Sequence, residues 1–458
     1  MSPTVEDART EIEEKISERV GVEATLDGAR LDDLDGQTLT LQDAIRISLF
    51  NNPDLKRHMA SLGFGAAELY AASRIRNPIL SLSVLEASPS VPNDQITWGL
   101  VASFTDLLTL QRRRTLAELE FATLQQNVSH AALETVRDTK LAFYNIVAAS
   151  AGREVAQHIA TAGDVMQRLA QRFYDAGNFT PKELAEKKAE GAEAALGLVE
   201  ADRRLAEARF ELAQILGIEA RDNWLIEPVI NVPRASEFAL PELLAAAAAN
   251  RFDLEAAKVS AKQHTKHRAL KNWERWLEDF ELGYEREKET DGSRLEGPEI
   301  GIAIPLTSRN RDQVLQAQSH LEQALIELEA TRVGIVNEVW LAHQGLQAAA
   351  TGLEQARGVL QPAMAETRKR AQEEQNFMLM GVFDVMHLRM QEYEAAQAVA
   401  ESLLHYWEAI AHLSYAVGAE MEVSVADEAF QLSDYLGGLP DEQDSQDHHN
   451  HHHQGHHR

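Results

Sequence analysis

Seven histidines, His448, His449, His451, His452, His453, His456 and His457, stand together at the end of this chain. Neutral imidazole is a good ligand for Zn, Cu, Ni and Co, so a flexible run of this kind binds such ions without a preformed site. Asn450, Gln454, Gly455 and the final Arg458 interrupt the run, which argues against a standard affinity tag and for a native tail. A second set of groups is acidic: Asp175 and Glu183 flank one glycine-containing break, and Glu373, Glu374 and Asp384 flank another. Isolated surface carboxylates are mostly solvated. Carboxylates brought together raise the local negative potential, attract cations and push one another's pKa upward. The sequence holds no phosphate-binding glycine loop, no His-Glu-x-x-His and no nucleophile elbow. With no cysteine it holds no thiolate site either, so no catalytic residue and no cofactor are assigned.

The elements that carry these groups are read from composition and periodicity. Of 458 residues 44% are hydrophobic but only 6% aromatic, with Ala, Glu, Gln, Leu and Arg abundant, which favours long helices packed through small and aliphatic seams. The net charge of −28, from 72 acidic and 44 basic residues, repels nucleic acid and tolerates cations. The first twenty residues are acidic, with neither a basic n-region nor an apolar h-region, so the chain as given carries no secretory signal. No run is long and apolar enough for a membrane-spanning helix, so any membrane part must be built of strands.

One unit is written twice. Residues 39–55 match residues 238–254 at a constant offset of 199, pairing Leu41 with Leu240, Asn51 with Asn250 and Asp54 with Asp253. At offset 201, Ala194, Leu212 and Gly217 meet Ala395, Leu413 and Gly418. Each copy reads as a short amphipathic helix, two alternating strands and two long helices joined by a tight break. The strands are expected over residues 78–84 and 96–104 in the first copy, and over 280–285 and 299–305 in the second. Four strands cannot close a barrel and leave exposed edges, whereas three protomers supply twelve. Residues 108–175 contain no proline and predict one helix on the order of 100 Å long. Pro362 should kink or break the corresponding helix of the second copy. The expected organisation is an N-terminal extension over 1–37, repeats over 38–230 and 231–420, and a C-terminal segment over 421–458 with a disordered His-rich tail.

The ordered set resembles the TolC-type outer-membrane efflux proteins, the outer-membrane factor family, over about Leu39 to Gly418. The motifs that carry it are LTLQDAIRISLFNNPDL, Arg76-Asn77-Pro78 at the first strand, Tyr174-Asp175-Ala176-Gly177 before the first helical turn, and Phe377 to Val385 around the second. The last of these resembles the heavy-metal and cation branch. The resemblance implies a mainly α protein with a small β part, a homotrimer with a twelve-stranded β-barrel in outer-membrane lipid, and a long α-helical barrel in the periplasm. It also implies docking to a periplasmic adaptor and an inner-membrane pump that supplies the energy. On this reading Asp384, Glu183 and Asp175 are gate residues near the closed end of the tunnel, where three-fold symmetry makes each a ring, and Asp384 is the leading one. Gly177, Phe179, Gly381 and Phe383 are the expected adaptor contacts. The competing reading is a soluble coiled-coil scaffold or metal-sequestering protein that keeps the same helical unit.

Overall fold

The structure is a computed structural model that describes residues 4–21, 36, 38–86, 93–227, 230–234, 238–275, 279–303, 310–430 and 432. The chain opens with α1 (Val5–Val20), a helix that the repeat pattern had left in an extension. Its signals are local: Thr4 and Asp7 form a capping box, Gly21 ends it in the left-handed region, and Ala8, Ile12, Ile16 and Val20 repeat every fourth residue. That face is buried with Leu55 and Leu62 of the helix over Pro53–Ala72 and Phe121 of the long rod.

The first repeat then runs β1 (Thr38–Leu39), α2 (Leu41–Asn51), α3 (Pro53–Ala72), β2 (Ile79–Leu85), β3 (Gln95–Ser103), α4 (Phe104–Asp175) and α5 (Pro181–Leu216). After β4 (Leu225–Ile226) and β5 (Ile230–Pro233), the second runs α6 (Leu240–Asn250), α7 (Phe252–Glu274), β6 (Asp279–Lys288), β7 (Arg294–Ala303), α8 (Arg311–Gln355), α9 (Gln361–Asn376) and α10 (Val382–Val417). Strand β8 (Val425–Phe430) follows and pairs antiparallel with β5, while β1 pairs parallel with β4. The duplication is preserved in three dimensions, since α2 and α6 both have 11 residues and α5 and α10 both have 36.

The copies close their helices in the same way. Gly217 and Gly418 cap α5 and α10 at φ of 66° and 77°. A side chain at Gly217 would bring its Cβ within 2.7 Å of the Asn51 carbonyl oxygen, so glycine is required there by both conformation and space. Asn51 and Asn52 donate their amides to the last carbonyls of α5, at 3.0 Å to Leu216 and 2.9 Å to Ile215. In the second copy Arg251 replaces Asn52 and donates to the carbonyls of Tyr415 and Ala416.

α4 is continuous for 72 residues, as its lack of proline predicts. The second rod is not. Between α8 and α9 residues Ala356–Leu360 form a π-turn, in which Gln361 N–H donates to Ala356 O. Pro362 has no N–H and its ring would strike the carbonyl one α-turn earlier, so the widened turn lets the rod continue where a regular helix could not.

The sheet has the order β2-β3-β6-β7 and is antiparallel throughout. Its strands fall on the expected segments, but β6 and β7 extend several residues further towards their connecting turn, and Phe104, expected to end the second strand, instead opens α4 after the Ser103 cap; Ile304 and Pro305, expected to end the last strand, lie outside the described residues. Cross-strand register puts Leu82 opposite Trp98, Leu100 opposite Tyr284 and Leu282 opposite Ile300 on one face. Those side chains are exposed in the single chain. The other face carries Ser81, Ser83, Thr97, Gly99, Glu281, Glu285 and Glu299. Where the sheet meets α4, buried Asp106 accepts Arg76 Nε at 2.7 Å and Nη2 at 2.8 Å, fixing the entry of β2 to the start of the rod. Among the described residues no helix is long and apolar enough to cross a membrane.

Candidate functional site

The far ends of the rods make a tip of two turns. α4 ends at Asp175, the chain reverses at Gly177 with φ of 79°, and Thr180 caps α5. α9 ends at Asn376, Met378 stands in the left-handed region at φ of 59°, and Gly381 precedes α10. A non-glycine residue in that region is uncommon and, for an unbranched chain like methionine, mildly strained.

An aromatic cluster holds the turns to each other. The ring of Phe179 lies 5.2 Å from Phe383 and 5.3 Å from Phe173, and Phe173 meets Phe383 edge-on at 5.7 Å. Lys187 Nζ sits over the Phe383 ring at 5.7 Å. Phe179 and Phe383, expected as adaptor contacts, are thus half-buried and packed against each other and Phe173. Gly177 and Gly381 are exposed. The apolar groups left facing outward are Phe377, Met378 and Leu379, with exposures of 77%, 94% and 77%. The sequence showed Met378 as part of a motif, but nothing in its periodicity distinguished these outward residues from the packed Phe383.

The three expected gate carboxylates are all exposed, but their surroundings differ. Glu183 completes a capping box: its Oε2 accepts the Thr180 backbone N–H at 2.7 Å and hydroxyl at 2.8 Å. The hydrogen bond from the Thr180 backbone, and then that from its hydroxyl, hold the Glu183 carboxyl below its ordinary value. That is opposite to the upward shift expected from crowding, because within one chain the cap dominates. Asp175 accepts Gln171 Nε2 at 2.9 Å along its own helix. Asp384 sits in the first turn of α10, its Oδ2 folded back towards Gly381, and has no hydrogen bond or ion pair among the described residues. Of the flanking acids, Glu373 pairs with Arg370 at 3.0 Å.

Above the tip, buried Glu392 of α10 binds Arg368 of α9 at 2.9 Å and Arg389 at 2.7 Å. Sequence reasoning missed this clamp. Only the Arg389 to Glu392 spacing of three was visible, and the partner from α9 depends on how the two helices are phased. The histidine tail lies outside the described residues, and among those described no group of three or more His, Asp or Glu is arranged to hold a metal ion.

No protein-family model matches the sequence and no curated protein does. Solved structures do match in shape. The CmeC outer membrane channel of Campylobacter jejuni superposes with a TM-score of 0.72 at 15% identity, over 87% of this chain and 92% of that one. The outer membrane protein VceC of Vibrio cholerae gives 0.66 at 18% identity, over 83% and 97%. The MtrE outer membrane channel of Neisseria gonorrhoeae, solved in an open state, gives 0.64 at 17% identity, over 85% and 94%. With more than four-fifths of this chain and more than nine-tenths of each matched chain superposed, this chain has the TolC-like fold of outer membrane channels.

Proposed function

We propose that the chain is the outer-membrane duct of a tripartite efflux system, a passive conduit for metal cations or small cationic compounds. Its energy comes from an inner-membrane pump, reached through a periplasmic adaptor. The observation that carries this reading is the sheet. β2 and β7 are its two edges, one face is exposed and apolar, and the other is rich in Ser, Thr, Gly and Glu. A free edge on each side calls for pairing with another copy, an apolar outer face suits lipid, and a polar inner face suits a water-filled lumen. Three copies joined edge to edge give twelve strands, four from each. The matched channels support the location and the role.

The tip supplies the rest. Phe377, Met378 and Leu379 offer an apolar contact for the adaptor, while the Phe179 and Phe383 pair keeps the turns in position to present it. Three-fold symmetry turns Asp384 into a ring of carboxylates, and of the three gate residues it is the one with no hydrogen bond or ion pair among the described residues. Cation passage follows from that ring and from Glu281, Glu285 and Glu299 on the polar face of the sheet. The histidine tail adds a weak site for divalent transition metals. The test is fractionation of cells expressing the native locus, with cross-linking and mass measurement in mild detergent. Outer-membrane recovery as a trimer is the expected result. A soluble monomer would replace this reading with that of a scaffold or metal-sequestering protein.

A further inference from the structure

The two repeats each leave a groove between their long helices, and the grooves are chemically unlike. In the first, between α4 and α5, a space of about 570 Å³ is lined by Gly152 and Ala156 on one side and Arg204, Glu207 and Glu211 on the other. Two of those charges are paired with an opposite charge and the third, Glu211, accepts an amide hydrogen bond. Arg204 pairs with Glu200 at 3.2 Å, Glu207 pairs with Arg203, and Glu211 accepts Asn145 Nδ2 at 3.0 Å.

In the second, between α8 and α10, the space is about 690 Å³. Adding 201 to the α5 positions gives the α10 residues: Glu207 becomes Glu408, Arg204 becomes His405, Glu211 becomes His412, and Arg203 becomes Leu404. The duplication has therefore kept the carboxylate and removed both guanidiniums beside it. Glu408 is half-buried and has neither an ion pair nor a hydrogen bond among the described residues. The facing wall on α8 is Ala342, Gly345, Ala348, Ala349 and Gly352, small enough to leave room and apolar enough to hold a hydrocarbon body. The other charges in the groove are already engaged: Glu338 binds Arg251 at 2.7 Å, and Arg137 binds Asp138 at 2.7 Å and Glu134 at 3.2 Å.

We propose that the groove between α8 and α10 is a binding site for an amphipathic organic monocation, with Glu408 as its counter-charge and the Gly345 to Gly352 wall as its apolar bed. A carboxylate withdrawn from water without a partner gains when a weakly hydrated cation replaces the lost solvent. Burial raises the Glu408 pKa, with His405 opposing the rise, as expected of a carboxylate lacking a permanent partner. A small metal ion is a poorer match. His405, Glu408 and His412 lie along one helix, the carboxylate that α8 brings to the groove, Glu338, is taken by Arg251, and no described group is arranged to hold a metal. The site goes beyond the conduit reading and stands without it, because binding is measured on the purified protein and not as transport.

The experiment is calorimetric titration of the full-length purified assembly with tetraphenylphosphonium. One cation per chain is expected to bind. Glu408→Gln should weaken binding roughly tenfold, the equivalent of about 1.4 kcal/mol. Glu207→Gln, at the matching position of the other repeat, should leave it unchanged. Gly345→Leu should abolish it by filling the groove, and since no heavy atom lies within 4 Å of a Cβ built there, that variant should retain the helical signal and melting temperature of the parent. Absence of binding to the parent assembly, equal loss in the Glu408 and Glu207 variants, or unchanged affinity in Glu408→Gln would each overturn the proposal. The first outcome would identify the groove as one covered by a neighbouring copy.

Discussion

Phe179 and Phe383 meet at 5.2 Å across the boundary between the two repeats, one ring from each helical turn. They are the point at which the far ends of two long hairpins become one body. Elsewhere at the tip most side chains are exposed, so these rings and Phe173 carry much of the cohesion.

Phe383→Ala should therefore loosen the tip while leaving the rest of the rods folded. Truncation of a half-buried ring in an aromatic cluster is expected to cost about 1–2 kcal/mol. Limited proteolysis should show faster cleavage within residues 176–180 and 377–381, and Phe383→Leu should restore most of the protection.

Arg251, only 7% exposed, binds Asp253 at 2.7 Å, Glu338 at 2.7 Å and two carbonyls at the end of α10. Arg251→Ala leaves those groups without their donor and should cost about 3–5 kcal/mol, read as a lower denaturant midpoint. Burial pushes the Asp253 pKa up, but the hydrogen bonds and charge of Arg251 outweigh it and hold the pKa below its ordinary value. The sign follows from the depressed value. This contribution is complete above the unfolded pKa, near 4, and is lost as pH falls through the folded one. Asp253→Asn should remove that part of the acid dependence, measured as stability between about pH 5 and pH 2.

Asp384→Asn should lower cation preference and weaken block by a trivalent cation in planar-bilayer conductance, with little change in melting temperature because the carboxylate is exposed. If Asp384→Asn has no effect while Glu183→Gln or Asp175→Asn does, the constriction belongs to the first turn. Indifference of all three would end the acidic-gate proposal.

Leu100 and Thr97 lie on opposite faces of β3. If the apolar face meets lipid, Leu100→Arg should cost about 2–4 kcal/mol near mid-membrane and reduce outer-membrane recovery, whereas Thr97→Arg should be tolerated and alter conductance. Equal tolerance of both substitutions would argue against a lipid-facing sheet.

Deleting residues 447–458 should remove most weak Zn or Ni binding in calorimetric titration and leave the oligomer intact. Binding that survives the deletion would move the metal site into the body of the protein.

The repeat was legible because Gly217, Gly418, Asn51 and Asn250 sit at helix ends whose geometry restricts the choice of residue. The strands were legible because each alternates cleanly between an apolar and a polar side. Helix α1 was equally plain in Thr4, Asp7, Gly21 and the apolar residues at every fourth position, but it has no copy in the second half and so escaped a reading built on duplication. The tip was only half legible. Its turns follow from Gly177 and Gly381, yet whether Phe383 or Phe377 faces inward depends on helix phase across a turn, a tertiary quantity that composition does not carry. The same holds for the Arg368 to Glu392 clamp and for Glu183, whose capping role could be read from Thr180 three residues earlier.

The π-turn before Pro362 has a consequence for the screw of the second rod. A turn with one residue too many sets everything after it back by about 100° about the axis relative to an unbroken α-helix, since each residue of a regular helix accounts for that rotation. The portion before the turn, α8, packs against both α7 and α10; the portion after it, α9, packs against α10. A single inserted residue thus works as a phase shifter, letting one unbroken rod present one azimuth to the upper wall of the molecule and another to its tip. While Pro362 remains, the offset is locked into the covalent sequence, because rewinding the turn would drive the pyrrolidine ring into the Gly358 carbonyl.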